Sequence, residues 1–533
     1  MKKTITLISV VMYLFITMAS AQPTEVWVAR YNGGGVDQLY NMTVDGSSNV
    51  YVTGASIQGT AFTTDFLTVK YNSSGVKQWE KSYNGIAKSD DRAYVLAVDA
   101  KGNVYVSGGT GYNNSIVTIK YNSLGDTIWI RSYIGPGSGH NWTNPTSIFV
   151  DDSGYVYVAG TSEKSSSLHG LNQDYTILKY SPSGVQEWVA RHNGPGDDAD
   201  WVNSMAVDSL GNVYVTGSAG GGSTGSSDSY QDITTIKYNT SGTLLWKKTY
   251  IGPGTSSDEG SMITLDNHRN VYVTGTSYND IVTIKYANDG TELWKKFYNG
   301  PESSTDQGTA ITVDRKHNVY VTGRSYYSPT NGFDIITIKY DSIGTKLWEK
   351  NFNGSASGSD ASQKIILDTD GNIYVLGTTM NTTTSDDYQL IKYNPAGTLL
   401  WEIKYTNSNG AGNQEKAAAL FVDDLNNIYA AGTSTLDYAV VKYSRPTAIA
   451  EIPEPVSIKL FPNPSNGRFT INTGNSKIDM IEIYNMLGEK VYDASDFKLL
   501  TSAEIDLSAH SKGIYFAKIS EGDQLYTQKI LIK

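Results

Sequence analysis

The sequence predicts an all-β chain: an eight-bladed β-propeller of four-stranded blades, followed by a small Ig-like β-sandwich. Three observations carry this. The phrase Val-Tyr-Val-Thr-Gly recurs eight times with small variation, its glycines at Gly54, Gly108, Gly160, Gly217, Gly275, Gly323, Gly377 and Gly432. A Lys-Tyr pair follows each copy, ending at Tyr71, Tyr121, Tyr180, Tyr238, Tyr286, Tyr340, Tyr393 and Tyr443, about 53 residues apart on average. Seven pairs lead into a turn ending in Gly with Trp four residues on, from Gly75 and Trp79 to Gly397 and Trp401. The eighth has no such Trp, and an unmatched Trp27 stands near the N-terminus.

The elements follow in chain order. Met1-Lys2-Lys3, an apolar run from Ile5 to Met18, and Ala19-Ser20-Ala21 read as a secretory signal peptide over 1–21, with cleavage between Ala21 and Gln22. Residues 22–445 hold the repeats. Each unit reads as four strands, for example Tyr94 to Asp99, Val104 to Gly108, Ile116 to Tyr121 and Asp126 to Tyr133, separated by Gly, Asn, Asp and Ser turns. Val-Tyr-Val-Thr puts large side chains on both faces, which suits sheets buried on both sides. The last unit, about Ala417 to Tyr443, supplies three strands only. The Trp27 strand is expected to be its fourth, pairing the two ends of the repeat region and hiding an edge. Seven blades, with one irregular unit, is the runner-up; a β-solenoid is the rival architecture, but needs no such offset.

Residues 446–457 form a Pro-spaced linker with Pro446, Pro453 and Pro455. Over 458–533 the pattern changes to short alternating strands broken by Pro-Asn and Asn-Gly turns. The marks are Pro462-Asn463-Pro464, Gly467, Asn485, Gly488, and Gly513-Ile514-Tyr515. About 75 residues suffice for a small β-sandwich.

The repeat resembles the SBBP-type β-propeller repeats of bacterial surface proteins. The final module resembles the type A C-terminal sorting domain of the type IX secretion system, through Pro462, Asn463, Pro464, Gly467, Asn485, Gly488, Gly513 and Tyr515. The first resemblance implies an extracellular propeller with no particular activity. The second implies export across the outer membrane, with the translocon as partner and the module as sorting signal.

Composition excludes several classes. No Cys occurs in 533 residues, which removes disulfide scaffolds, thiolate metal sites and Cys nucleophiles. The net charge of −11 excludes a basic nucleic-acid face. No stretch after the leader reaches transmembrane length. Tyr is abundant, but 22 of 38 fall in three repeat slots: Val-Tyr-Val, Lys-Tyr, and four residues after Trp. The excess is therefore itself a mark of the repeat.

Three acidic sets recur. One closes the first strand (Asp45, Asp99, Asp151, Asp208, Asp266, Asp314, Asp368, Asp423). A second lies eight residues earlier (Asp37, Asp91, Asp200, Asp258, Asp306, Asp360, with Glu415 and Thr143). A third lies five before the repeat Lys (Asp65, Asp174, Asp232, Asp280, Asp334, Asp387, Asp437, with Ser115). Recurrence in every unit marks scaffold, since Asp caps turns and accepts backbone N–H; the alternative is a cation or glycan site on an acidic face. Irregularity points to function. Trp142 and Trp201 are outside the repeat slots, in the loops leading into the third and fourth units, beside His140, Asp197, Asp198 and Asp200. The same units have the longest connections between second and third strands. Aromatic faces with carboxylates suit a sugar ring or a peptide. The plainer alternative is that these Trp fill space under long loops.

Catalytic signals are poor. Gly221-Gly222-Ser223-Thr224-Gly225 matches G-x-S-x-G inside a Gly/Ser run rather than at a strand-to-helix elbow. Asp368-Thr369-Asp370-Gly371 is similar to the start of a Ca²⁺ loop but lacks the downstream Glu. No cofactor, metal site or catalytic residue is expected. The expected function is a non-catalytic surface binding or adhesion propeller. A propeller glycan hydrolase or lyase, and a purely structural surface component, are the alternatives.

Overall fold

The computed structural model describes residues 22–444 and 459–533, apart from 58–62, 86–88, 112–114, 138–142, 164–172, 196–198, 221–229, 254–255, 329–331, 357, 381–385, 407–414, 473–479, 487, 495–501 and 522–523. The expected leader, the linker and the Gly221–Gly225 run lie outside the described residues. The described residues are all β, with no helix. They fall in two compact units, Met1–Pro446 and Thr447–Lys533.

The first unit holds eight four-stranded antiparallel sheets in β-propeller fashion. In the first, Asp37–Val44, Val50–Ser56, Asp65–Tyr71 and Lys77–Tyr83 lie side by side in chain order. Six more repeat this. The eighth has Glu415–Val422, Ile428–Ser434 and Asp437–Tyr443, and its fourth strand is Glu25–Tyr31, with Trp27 opposite Lys442 and Tyr31 opposite Tyr438. The first strand of each sheet packs on the first strand of the next, and Glu415–Val422 packs on Asp37–Val44.

Burial follows from the repeat. Val-Tyr-Val-Thr strands such as Val50–Ser56 and Val104–Thr110 are buried at every residue, while fourth strands such as Lys77–Tyr83 alternate with solvent. Cores lie between adjacent sheets: Tyr214 and Ile233 of the fourth meet Ile263, Val273 and Val282 of the fifth. First strands begin earlier than expected, at Asp91 rather than Tyr94, because the Asp91 amide pairs with the Thr64 carbonyl of the preceding sheet.

The Gly-x-x-x-Trp spacing joins neighbouring sheets rather than its own residues. The Trp79 indole donates to the Ser123 carbonyl of the next sheet (3.2 Å), and the repeat Lys70 ammonium reaches the same oxygen (3.2 Å). Gly125, at φ +86°, lies against the Trp79 ring; a Cβ there would sit 3.0 Å from the indole. Trp27, Trp129, Trp188, Trp246, Trp294 and Trp348 make the same bond across their seams. Trp401 has no acceptor among the described residues. It faces the eighth sheet, whose outer strand comes from the N-terminus, so that sheet has no hairpin between third and fourth strands to offer a carbonyl.

The second unit pairs a three-stranded sheet (Lys459–Phe461, Arg468–Asn472, Ser502–Asp506) with a four-stranded one (Lys490–Ala494, Met480–Asn485, Gly513–Glu521, Gln524–Ile532). Phe469, Ile471 and Ile505 of the first meet Ile481, Ile483, Ala517, Ile519 and Ile530 of the second in one core.

Candidate functional site

The sheets present two faces. The bottom face carries the hairpins between first and second strands. There Asp45 accepts the amides of Ser47 and Asn49 (both 2.9 Å), the Asn49 side chain (2.8 Å) and the Tyr51 hydroxyl (2.9 Å). Burial pushes Asp45 up, but these donors outweigh it and hold the carboxyl below its usual range. Asp368 takes the same bonds from Asp370, Asn372 and Tyr374, so Asp368 to Gly371 is a repeat hairpin.

The top face carries the loops leading into first strands and those joining second to third. The second acidic set lies here and is buried: Asp37, Asp91, Asp200, Asp306, Asp360 and Glu415 are all 0% exposed. Each Asp amide bonds to the preceding sheet, as in Asp200 to Gln173 and Asp258 to Gln231 (both 2.6 Å). Each Asp carboxylate clamps its own leading loop, as Asp37 does with the Gly33 amide (2.6 Å) and Asp360 with Gly354 (2.6 Å). At Gly252 a Cβ would lie 2.4 Å from the Asp258 carboxylate, so only Gly lets that clamp close.

The third set faces the second across each seam. Burial, then the charge of Asp258, pushes Asp232 up to about 6. Burial of Asp360 outweighs its amide bonds and raises it to about 6, with Asp334 and Asp386 adding to the effect. Ser115 and Thr143, the hydroxyl-bearing exceptions of the two sets, fall at one seam, between second and third sheets. Other members have partners: Arg191 on Asp174 (3.1 Å), Lys404 on Asp387 (3.0 Å) and Asn351 on Asp334 (2.6 Å). Among the described residues, the second set and Asp174, Asp232, Asp334 and Asp387 of the third are buried, their carboxylates turned to backbone and neighbouring side chains, while Asp65, Asp280 and Asp437 are part-exposed.

Of the predicted ligand-binding residues, Asp200 is one of these clamps, accepting the Gly194 and Gly220 amides (2.5 and 2.7 Å). Trp201 opens the strand Trp201–Val207, is 38% exposed, and donates to Gln173 of the third sheet (2.7 Å). His140, Trp142, Asp197 and Asp198 lie outside the described residues.

The strand Trp201–Val207 borders, through Asn203, Ser204 and Met205, a polar cavity of about 280 Å³ lined by first strands of seven sheets. Its lining includes Asn41, Thr146, Ser147, Asn203, Ser204, Ser261, Thr309, Gln363 and Lys364. Every first strand bulges at one register position, between Leu39 and Asn41 in the first sheet and between Ser362 and Lys364 in the seventh. A bulge re-aims the side chain it carries. In most sheets that residue is small or polar (Thr146, Asn203, Ser261, Thr309, Gln363, Ala418). In the first two it is Tyr40 and Tyr94, whose rings meet at 5.1 Å. Lys364 is the lysine of the cavity lining, and desolvation lowers its pKa. Sequence reading missed Tyr40, Tyr94 and Lys364. The signal was present: Tyr40 and Tyr94 stand five residues before Asp45 and Asp99, a slot otherwise without aromatics. Hydroxyls, amides, one amine and flanking aromatic rings can hold a polyol or a peptide backbone by hydrogen bonding and stacking.

The sorting-motif residues are structural in their own unit. Asn463, between the cis bonds Phe461–Pro462 and Asn463–Pro464, donates to the Lys529 carbonyl (2.7 Å) and accepts from the Leu531 amide (2.8 Å). Gly467, at φ +100°, approaches Ser508 so closely that a Cβ would lie 2.5 Å from its Cα. Gly488 (φ +81°) closes a turn on Asn485, Gly513 starts the strand Gly513–Glu521, and buried Tyr515 donates to the Ser511 carbonyl (2.6 Å).

Residues 459–533 match the family described as secretion system C-terminal sorting domain. Residues 187–223, 247–281 and 294–326 match that described as β-propeller repeat. No curated protein matches the chain. Among solved structures it is similar to the polysaccharide lyase Uly1 (9% identity, 79% of this chain and 100% of that one, TM-score 0.45). It is also similar to the WD40 domain of SCAP from fission yeast (10%, 80% and 99%, 0.43). A third is the β-propeller domain of the Trilobed protease from Pyrococcus furiosus (9%, 70% and 97%, 0.39).

Proposed function

We propose that this protein, which carries SBBP β-propeller repeats and a type IX secretion sorting domain, is an eight-bladed, non-catalytic binding or adhesion propeller. The sorting domain marks export by type IX secretion to the cell surface or extracellular space. The N-terminal strand completes the eighth blade, the C-terminal unit is an Ig-like sandwich read by the translocon, and the top face takes a glycan or peptide. The observation that carries the binding role is Trp201, which is 38% exposed at the start of a first strand that borders a hydroxyl- and amide-lined cavity through Asn203 and Ser204. The inward-turned Asp clamps support a non-catalytic reading, because they serve the backbone rather than a substrate.

The test is a glycan and peptide array probed with the wild-type chain and a Trp142→Ala/Trp201→Ala double variant. Selective wild-type binding that falls at least about tenfold in the variant is expected. Equal binding by both overturns the site. Turnover of any arrayed polymer overturns the non-catalytic role.

A further inference from the structure

We propose that Asp266, His268 and His317 form a binding site for one divalent first-row transition-metal ion on the bottom face, at the seam between fifth and sixth sheets. The sequence raised no expectation of a metal here, and the site is independent of the top face.

The residues come from two adjacent sheets. Asp266 and His268 lie on the hairpin between Glu259–Leu265 and Val271–Ser277. His317 lies on the hairpin between Asp306–Val313 and Val319–Ser328. Their ligand atoms all lie within 4.8 Å of one another. Zinc takes imidazole nitrogen and carboxylate oxygen at about 2.0–2.2 Å, so atoms so grouped can share one ion after small side-chain rotation. Asp266 is buried, His317 half-buried and His268 exposed, which leaves one side open for water as a further ligand. Two imidazoles and a carboxylate suit Zn²⁺, Ni²⁺ or Cu²⁺ better than Ca²⁺ or Mg²⁺, which take oxygen.

Three features set this seam apart. First, the chain has only six His, and two of them stack here at 4.7 Å. Second, His317 occupies a left-handed position (φ +63°) that four sister hairpins fill with Gly102, Gly154, Gly211 and Gly371 and three with Ser48, Arg269 and Asn426, so this seam alone receives an imidazole from that slot. The sister Gly211 faces the Tyr157 hydroxyl of its preceding sheet, so a side chain in this slot projects onto the neighbour's Asp–Tyr pair. Equivalent seams are open clefts, about 420 Å³ around Asp45 and Gly102 and about 470 Å³ around Asp314 and Gly371. Third, the Nδ1 of His317 lies 3.0 Å from Asp266 Oδ2 yet is not aligned to hydrogen-bond with it. The carboxylate already has its hairpin donors: the His268 and Asn270 amides, the Asn270 side chain and the Tyr272 hydroxyl.

The experiment is calorimetric titration of the full chain, prepared without a polyhistidine tag, with ZnCl₂. X-ray absorption on the loaded protein follows. One equivalent, bound through two imidazoles and an oxygen donor, is expected. His317→Gly, which places there the residue of four sister hairpins, and His268→Ala, at an exposed position, should each weaken binding at least about tenfold. His192→Ala and His510→Ala should leave it unchanged. Absence of zinc binding by the wild type overturns the site, as does binding that persists in both His317→Gly and His268→Ala. His268→Ala keeps the test open if His317→Gly fails to fold.

Discussion

The backbone amide of Asp37 donates to the carbonyl of Leu436 at 2.6 Å, so the first sheet is bonded to the eighth as the second is to the first through Asp91 and Thr64. The seam where the chain's two ends meet thus carries the same inter-sheet bond as the others, without a covalent link.

Deleting residues 22–31 removes the strand Glu25–Tyr31 and leaves Asp437–Tyr443 as an unpaired edge. An open edge templates association. The truncated chain should melt lower and appear as dimers or larger species by light scattering. A monomer with unchanged melting would contradict this.

The Trp anchors differ at one seam. Trp79→Phe loses the bond to Ser123, while Trp401→Phe loses none. Both lose similar ring area, so Trp79→Phe should be the more destabilising by about 1 kcal/mol. Urea unfolding of the two variants measures the difference; equal losses would show that the indole bond contributes nothing.

Much of this was legible in the residues. Val-Tyr-Val-Thr-Gly fixed the second strands, and an unmatched Trp27 against a unit lacking Trp located the strand Glu25–Tyr31. What did not appear was partnership across seams: Gly125 reads as the neighbour of Trp129 in sequence, but it rests on Trp79. Trp201 drew notice because it broke a slot. Tyr40 and Tyr94 did not, because Tyr is common throughout. His268 and His317 are 49 positions apart, and only the stacking of sheets brings them together.

Stability should rise on acidification from pH 7 to 5. Asp232 and Asp360 are raised in the folded chain to about 6, from an ordinary value near 3.8. The folded state therefore holds these protons more tightly. Their contribution is complete below about pH 4 and is lost as pH rises through about 6. Thermal melts of the wild type across this window should show the rise. Asp232→Asn with Asp360→Asn should flatten it. A wild-type melting point that falls steadily from pH 7 to 5 would rule it out.

In the sorting unit, Asn463→Ala removes one bond to Lys529 and one from Leu531, which tie the Pro462–Pro464 turn to the last strand. The groups are solvent-accessible, so the loss should be about 1 kcal/mol. If the translocon reads the folded unit, less protein should reach the medium, measured by immunoblot of cell and medium fractions. Asn463→Asp, which keeps the acceptor for the Leu531 amide, should lie between. Unchanged melting and secretion would assign the motif a role outside this turn.

The pairing of Glu25–Tyr31 with Asp437–Tyr443 also sets a clock. The ribosome makes the first of these strands long before the second, so the earliest segment must stay unmated until the last repeat has emerged. The eighth sheet therefore closes last, and any chain shorter than the full repeat region carries an open edge that only synthesis through Tyr443 can cover.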